Sequence, residues 1–177
     1  MEDGALTVWV ASKLQQRFPK VFILHDHGQG GSEIYSYFGK EDLKPTFDNI
    51  VAQLDIAVVC HDPKKVFALI EIEETTATPK VILGDIFAIL FGDKIASKGN
   101  VYTVDEQTIL IVMVRGSPQS HNTLRTHLVE QITLMKKNLR TYNSSIEHIL
   151  VETYENDEQL EEKLTYEINA VSFWCNS

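Results

Sequence analysis

The feature that most constrains this chain is a pair of apolar, β-branched segments that contain acids. Residues 50–60 (IVAQLDIAVVC) and 66–73 (VFALIEIE) have the composition of buried strands, and the HDPKK segment between them has the Asp-Pro chemistry of a turn. The sequence therefore predicts an antiparallel hairpin. Its strands carry Asp55, Glu71 and Glu73. A carboxylate within an apolar strand is costly unless it is paired, hydrogen-bonded or bound to a metal.

The geometry of the turn decides whether these three acids meet. A turn centred on Pro63, with an odd number of loop residues, places Asp55 directly opposite Glu71 and leaves Glu73 on the same face. A turn with an even number of residues would shift the pairing by one and move Asp55 to the other face, unless a bulge intervenes. We expect the odd turn because it explains the acids. The alternative is an edge hairpin with ordinary, solvated carboxylates.

The remaining segments predict alternating helices and strands. Helical spacing or capping residues mark residues 6–18, 79–92, 121–142 and 157–167. Apolar runs mark further strands at residues 21–24, 101–104, 108–115 and 146–152. The helix at 79–92 is apolar nearly all round, which predicts that it is buried. We expect a mobile glycine-rich loop at 25–32, irregular structure at 33–47, and a single α/β domain over 1–177 with a mixed central sheet flanked by helices.

Composition and charge limit the classes of function. The hydrophobic fraction of 44% is ordinary for a globular protein, and no apolar run approaches the roughly 18 residues of a membrane span. The N-terminus is acidic where a secretory signal would be basic, so we expect a cytoplasmic protein. Cys60 is interpreted as a small buried hydrophobe, which favours a reducing compartment. The net charge of −9 argues against a passive nucleic-acid coat protein, since phosphate binding needs basic residues.

Three converging carboxylates imply a cation, because like charges repel unless a positive ion joins them. Oxygen ligands suit Mg²⁺, which keeps several waters and bridges to substrate phosphate. Such an ion can polarise a phosphoryl oxygen and lower the pKa of a bound water. The chemistry implied is hydrolysis of a phosphodiester.

The order of elements and acids resembles the PD-(D/E)xK superfamily, which includes many restriction enzymes and Holliday-junction resolvases. The resemblance lies in LDIAVV (54–59) followed by IEIEE (70–74), inside an α-β-β-β-α-β core at about 5–115, with 116–177 as an elaboration. It implies a restriction-endonuclease-like fold and a nuclease that cleaves DNA with Mg²⁺, or with Mn²⁺ as a substitute. A homodimer would suit the cutting of both strands.

Carried over by position, the resemblance makes Asp55 and Glu71 metal ligands, joined by the main-chain carbonyl of Ile72. Glu73 stands where the family usually has lysine, and would orient or deprotonate the attacking water. Lys80, at the start of the next helix, is a candidate for a relocated lysine. Two other functions compete: a catalytically inactive module of the same fold that binds a protein or nucleic acid, and a small-molecule phosphohydrolase.

Other polar groups have both ordinary and functional explanations. His25 and His27 share the spacing of a metal pair, but we expect loop histidines, or residues near the site without a metal role. The loop at 25–32 lacks the P-loop pattern and would, in a nuclease, close over DNA. The helix at 121–142 carries the densest basic patch, which either is simply solvated or contacts phosphate. That patch consists of Lys136, Lys137 and Arg140, and Arg125 and His127 lie earlier on the same helix.

Overall fold

A computed structural model describes residues 4–39, 44–62, 64–74, 79–116, 130–131, 134, 146 and 148–171 of the chain. These residues form a nine-stranded mixed sheet and three helices, which confirms the predicted α/β class. The helices are α1 (Ala5–Arg17), α2 (Pro79–Leu90) and α3 (Asp157–Val171). The strands are β1 (Phe22–His25), β2 (Tyr35–Tyr37), β3 (Ile50–Gln53), β4 (Ile56–His61), β5 (Lys64–Glu73), β6 (Lys94–Ser97), β7 (Asn100–Thr103), β8 (Ile109–Arg115) and β9 (His148–Tyr154).

The long strand β5 organises the sheet. On one edge it pairs antiparallel with β4, which pairs antiparallel with β1. On the other edge it runs parallel to β8, and β8 runs parallel to β9. Near its start, Lys65 of β5 also pairs with Thr103 of β7, where a second branch begins with the order β7-β6-β2-β3. The middle of β5, residues 68–70, therefore lies between β4 and β8, and its last residues, 71–73, are paired in the ladder with β8 alone.

Helices cover both faces of this central region. Alternate residues of the strands contribute to two cores: Leu69 packs in the cluster that α2 covers, and Ile70 packs in the cluster that α1 and α3 cover. Because both faces are buried, β5 and β8 are apolar on both sides rather than alternating. Three residues of α2 at helical spacing enter the first core: Ile82, Ile86 and Ile89.

The predicted first strand of the hairpin, 50–60, is in fact two strands. The chain breaks at Leu54, whose N–H donates to the carbonyl of Ile34 at 2.9 Å, so this part of the chain turns away from β5. Residues 33–47, expected to be irregular, contain β2, and β6 was not predicted. Both of these strands are only three or four residues long, which is too short for a clear hydrophobic period.

Two further expectations are wrong, and one lies outside the described residues. Helix α2 is not buried all round, since Val81 and Asp85 are exposed. Cys60 is buried, but it is disulfide-bonded, so the cysteine argument for a reducing compartment does not hold. Apart from residues 130–131 and 134, the predicted helix at 121–142 and its basic patch lie outside the residues that the structure describes. Within those residues, no helix is long and apolar enough to cross a membrane.

Candidate metal centre

A β-bulge sets the register at the acidic end of the β4–β5 hairpin. At the turn, His61 pairs with Lys64, which leaves an even number of turn residues, so the predicted odd turn is wrong. The register then shifts by one residue, because Phe67 of β5 is an extra residue without a partner in the ladder. Beyond the bulge, Ile56 faces Ile70.

The bulge restores the alignment that the sequence analysis predicted. Ile56 and Ile70 are the last residues paired in this ladder, and the same register continued by one residue would place Asp55 opposite Glu71. Glu73 lies on the same face of β5 as Glu71, and this face of the sheet is the one that α2 covers. The cause of this alignment is the bulge and not the turn. Among the described residues, the group whose ligand atoms all lie within 4.8 Å of one another is Asp26, His27 and Asp55, and it does not include Glu71 or Glu73.

The side chain of Asp55 accepts a hydrogen bond from β5 at the point where the main-chain pairing of β4 and β5 ends. Because Leu54 bonds to Ile34 and not to β5, the N–H of Ile72 has no main-chain partner in β4, and it donates to Oδ2 of Asp55 at 2.7 Å. In an antiparallel pair, the N–H and C=O of one residue point to the same neighbouring strand. The carbonyl of Ile72 therefore points to the side on which Asp55 lies.

The surroundings of Asp55 disfavour its charge. Burial is the largest cause and, with the negative charges of Asp26 and Glu73, raises the pKa of Asp55 to about 6. The Ile72 N–H and the imidazole of His27 act in the opposite direction, but they do not offset the burial. A positive ion would remove this electrostatic cost.

The carboxyl of Glu71 is buried with one of its oxygens unpaired among the described residues. Its Oε1 is fully buried and has no hydrogen-bond donor among the described residues. Burial, followed by the charge of Asp55 and then that of Asp85, raises the pKa of Glu71 well above its usual range. Nearly all buried polar atoms in proteins have a partner, so an orphaned carboxylate oxygen calls for a proton or a cation.

Helix α2 contributes an acid that the sequence analysis missed. Burial, the charge of Asp85 and a hydrogen bond with Asp85 raise the pKa of Glu73. Burial also raises the pKa of Asp85, and the same hydrogen bond opposes that rise. The available signal was a lone acid in the otherwise apolar segment PKVILGDIFAILFG (79–92). Lys80, the candidate relocated lysine, is exposed at the start of α2, while Asp85 is the α2 residue that interacts with Glu73.

The loop after β1 brings two further groups to Asp55. The N–H of Asp26 donates to the carbonyl of Asp55 at 3.1 Å, and Oδ1 of Asp26 contacts Nδ1 of His27. One ligand atom from each of Asp26, His27 and Asp55 lies within 4.8 Å of the other two. The side chain of Asp26 is only 4% exposed, whereas that of His27 is 39% exposed, so the group reaches from the protein interior to the surface.

The glycine-rich loop is folded onto itself. The N–H of Ser32 donates to the carbonyl of His25 at 2.9 Å, and that of Gly31 donates to Gly28 at 3.1 Å. Nδ1 of His25 also bonds to the carbonyl of His27 at 2.8 Å. These bonds bend the chain so that residues 26 and 27 return to the end of β4.

The donor set of this centre fits a hard divalent cation. Asp55, Glu71 and the carbonyl of Ile72 offer oxygen, the ligand atom that Mg²⁺ and Mn²⁺ prefer. The buried Oε1 of Glu71 supplies an acceptor that the described protein groups leave unused. Comparison with protein-family models, with curated proteins and with solved structures finds no match to this chain. Its function must therefore be inferred from the chemistry of these residues.

Proposed function

We propose that this chain is a metal-dependent nuclease of the PD-(D/E)xK type that hydrolyses phosphodiester bonds, with DNA as its substrate. The observation that carries the proposal is the buried Oε1 of Glu71, which lacks a hydrogen-bond donor among the described residues and lies beside Asp55. A protein stabilises such an arrangement poorly unless a cation occupies it. Paired carboxylates that hold a divalent ion are the usual equipment for phosphodiester hydrolysis.

The order and direction of the central strands support this proposal. Helix α1 is followed by β1, β4 and β5 in antiparallel array, then by α2, and then by β8 parallel to β5. This agrees with the α-β-β-β-α-β core that the resemblance implies. The strands β2-β3 and β6-β7 would be insertions within that order, and Asp55 immediately precedes β4, near the place of the first Asp of the family pattern.

The residues divide the work of hydrolysis. Asp55 and Glu71, with the main-chain carbonyl of Ile72, would hold Mg²⁺, which when bound polarises a phosphoryl oxygen and lowers the pKa of a coordinated water. Glu73 would accept the proton of the attacking water. Its raised pKa suits that role, since a general base works best when its pKa approaches the working pH.

Cleavage of supercoiled plasmid in the presence of Mg²⁺ or Mn²⁺ tests the proposal. Asp55→Asn and Glu71→Gln should each lower the cleavage rate at least about 100-fold, because loss of groups that only support metal ligands already costs 10–100-fold. Asn at position 55 keeps an oxygen that can accept the Ile72 N–H, so the fold should persist. The matched control is Glu106→Gln, which removes an exposed carboxylate and should retain full activity.

The outcomes separate the competing functions. Full activity in Asp55→Asn would refute the assignment of the site. If the wild-type protein binds the ion but leaves plasmid intact, it would be a catalytically inactive module that binds a protein or nucleic acid. The presence of Glu73 where the family usually has lysine also fits that role. Hydrolysis of a chromogenic phosphodiester without plasmid cleavage would identify a small-molecule phosphohydrolase.

A further inference from the structure

We propose that Asp26 and His27 are additional ligands of this metal centre, and that His27 makes the centre prefer a first-row transition ion such as Mn²⁺ to Mg²⁺. The inference rests on the proposed function only in taking the same acids as the metal centre. Neither residue belongs to the ligand set that the resemblance implies.

The sheet register places Asp26 at the centre. β1 and β4 are antiparallel, with His25 opposite Ile56, so the residue after His25 runs beside the residue before Ile56. The bond from the N–H of Asp26 to the carbonyl of Asp55 continues this pairing beyond the ladder. The proximity of the two aspartates therefore follows from the main-chain pairing of the sheet.

Two glycines allow the main chain to pack closely against His27. Gly4, at the N-terminus of α1, lies so close that a Cβ there would overlap the imidazole ring of His27. A Cβ at Gly31 would likewise overlap the carbonyl oxygen of His27. The helix end packs on the ring, and the loop packs on the main chain of the same residue. The imidazole is thus positioned by packing before any ion arrives, as an efficient ligand requires.

A separate observation concerns the buried carboxyl of Glu71, which interacts electrostatically with this cluster. The orphaned Oε1 belongs to Glu71, which is in electrostatic contact with both Asp55 and Asp26. Asp26, His27 and Asp55 thus offer two carboxylates and one imidazole within reach of one ion, and the buried carboxyl of Glu71 interacts electrostatically with two of them. A divalent cation would bridge the carboxylates and remove their mutual repulsion.

The imidazole decides which cation is preferred. Mg²⁺ demands near-ideal octahedral oxygen ligands and loses its waters reluctantly. Nitrogen ligands suit transition ions, and carboxylates suit Mg²⁺, Ca²⁺ and Mn²⁺, so Mn²⁺ fits the mixed set of carboxylates and one imidazole that Asp26, His27 and Asp55 offer. His27 would then act as a selectivity residue, and Asp26 would both offer an oxygen and orient the ring through their contact.

Direct binding of the metal to the full chain, without nucleic acid, tests the inference. Calorimetric titration of the wild type should give a Kd for Mn²⁺ at least about 10-fold lower than that for Mg²⁺. His27→Ala should raise the Kd for Mn²⁺ by about 10-fold or more and that for Mg²⁺ much less. Electron spin echo spectra of bound Mn²⁺ should show a ligand nitrogen that this variant loses. The control is His148→Ala, which removes an exposed histidine and should change neither.

A second variant covers the case in which His27→Ala does not fold. His27→Gln fills similar space with an amide, and should bind Mn²⁺ and Mg²⁺ with nearly equal affinity. Equal affinity of the wild type for both ions, or retention of the nitrogen signal in either variant, would overturn the inference. Absence of binding would overturn it together with the metal of the proposed nuclease. Mn²⁺ binding through His27 without plasmid cleavage would uphold it while the nuclease proposal fails.

Discussion

The two ends of the β4–β5 hairpin differ in how their polar groups are paired. At the turn end, Nζ of Lys65 lies 2.7 Å from Oδ2 of Asp105, and the hydroxyl of buried Thr108 donates to the carbonyl of Val66 at 2.9 Å. At the other end, acids face acids, their pKa values are raised, and Oε1 of Glu71 lacks a donor among the described residues. One strand, β5, runs through both environments.

This contrast indicates that Asp55 and Glu71 do not serve to stabilise the folded protein. A sheet that satisfies its polar groups at one end has no structural need to bury unpaired carboxylates at the other. Groups that disfavour the folded state persist in functional sites, where the surrounding structure supports them. The contrast therefore predicts opposite responses of the two ends to pH and to substitution.

The largest expected effect is the pH dependence of the metal-free protein. The pKa of Asp55 rises on folding from 3.8 to about 6, so its neutral form stabilises the folded state. This contribution of about 3 kcal/mol is complete below the unfolded pKa, is about half present at pH 5, and is lost as pH rises through 6. The Tm in a chelator should therefore be higher at pH 5 than at pH 8, and Asp55→Asn should flatten the curve. A Tm that falls from pH 8 to pH 5 would contradict this account.

At the turn end, Thr108→Val should destabilise the protein by about 2 kcal/mol. The substitution keeps the shape but removes the donor to Val66 and the acceptor for the N–H of Asp105, and buried groups left unpaired cost about 1–3 kcal/mol. Urea unfolding measures the difference. The matched control is Thr103→Val, an exposed threonine of β7, which should have little effect. Equal losses in both variants would remove the contrast between the ends.

At the acidic end, Glu71→Gln should increase the free energy of unfolding, whereas Thr108→Val at the turn end decreases it. Loss of the buried charge should stabilise the metal-free protein by about 1 kcal/mol at pH 8, in the way that substitutions in strained functional sites often do. The same variant should lose the stabilisation that added Mn²⁺ gives the wild type. Urea unfolding with and without the ion measures both effects, with Glu106→Gln as control. Destabilisation at pH 8 in the absence of metal would show that Glu71 supports the fold.

The smallest effect is expected for Lys65→Met. Its side chain and that of Asp105 are 22% and 35% exposed, so solvent screens the ion pair. The loss should stay below about 1 kcal/mol. Urea unfolding of this variant beside Lys64→Met, which removes the neighbouring exposed lysine, measures the contribution of the pair. A loss above 2 kcal/mol would mean that the turn end depends on charge as much as the acidic end does.

Local patterns predicted some features of the site because their causes are local. Apolar composition marks a strand whatever its partner is, and an acid in such a strand is conspicuous, so Asp55 and Glu71 could be found. The register could not be read from the pattern, because both faces of β5 are buried and the sequence does not alternate there. No sequence pattern therefore indicated the bulge at Phe67. The alignment of Asp55 with Glu71 was expected from an odd-numbered turn, whereas the bulge is what produces it.

What the sequence by itself determined is the α/β class and the presence of carboxylates in a buried hairpin, since both depend on residues close together in the chain. Only the tertiary structure decided that Asp26, His27 and Asp85 join those acids, because β1, β4 and α2 are brought together by sheet pairing and packing between distant segments. The break at Leu54 depends on the same long-range pairing, through its bond to Ile34. Contacts of this kind leave no local pattern in the sequence, so only the folded structure reveals them.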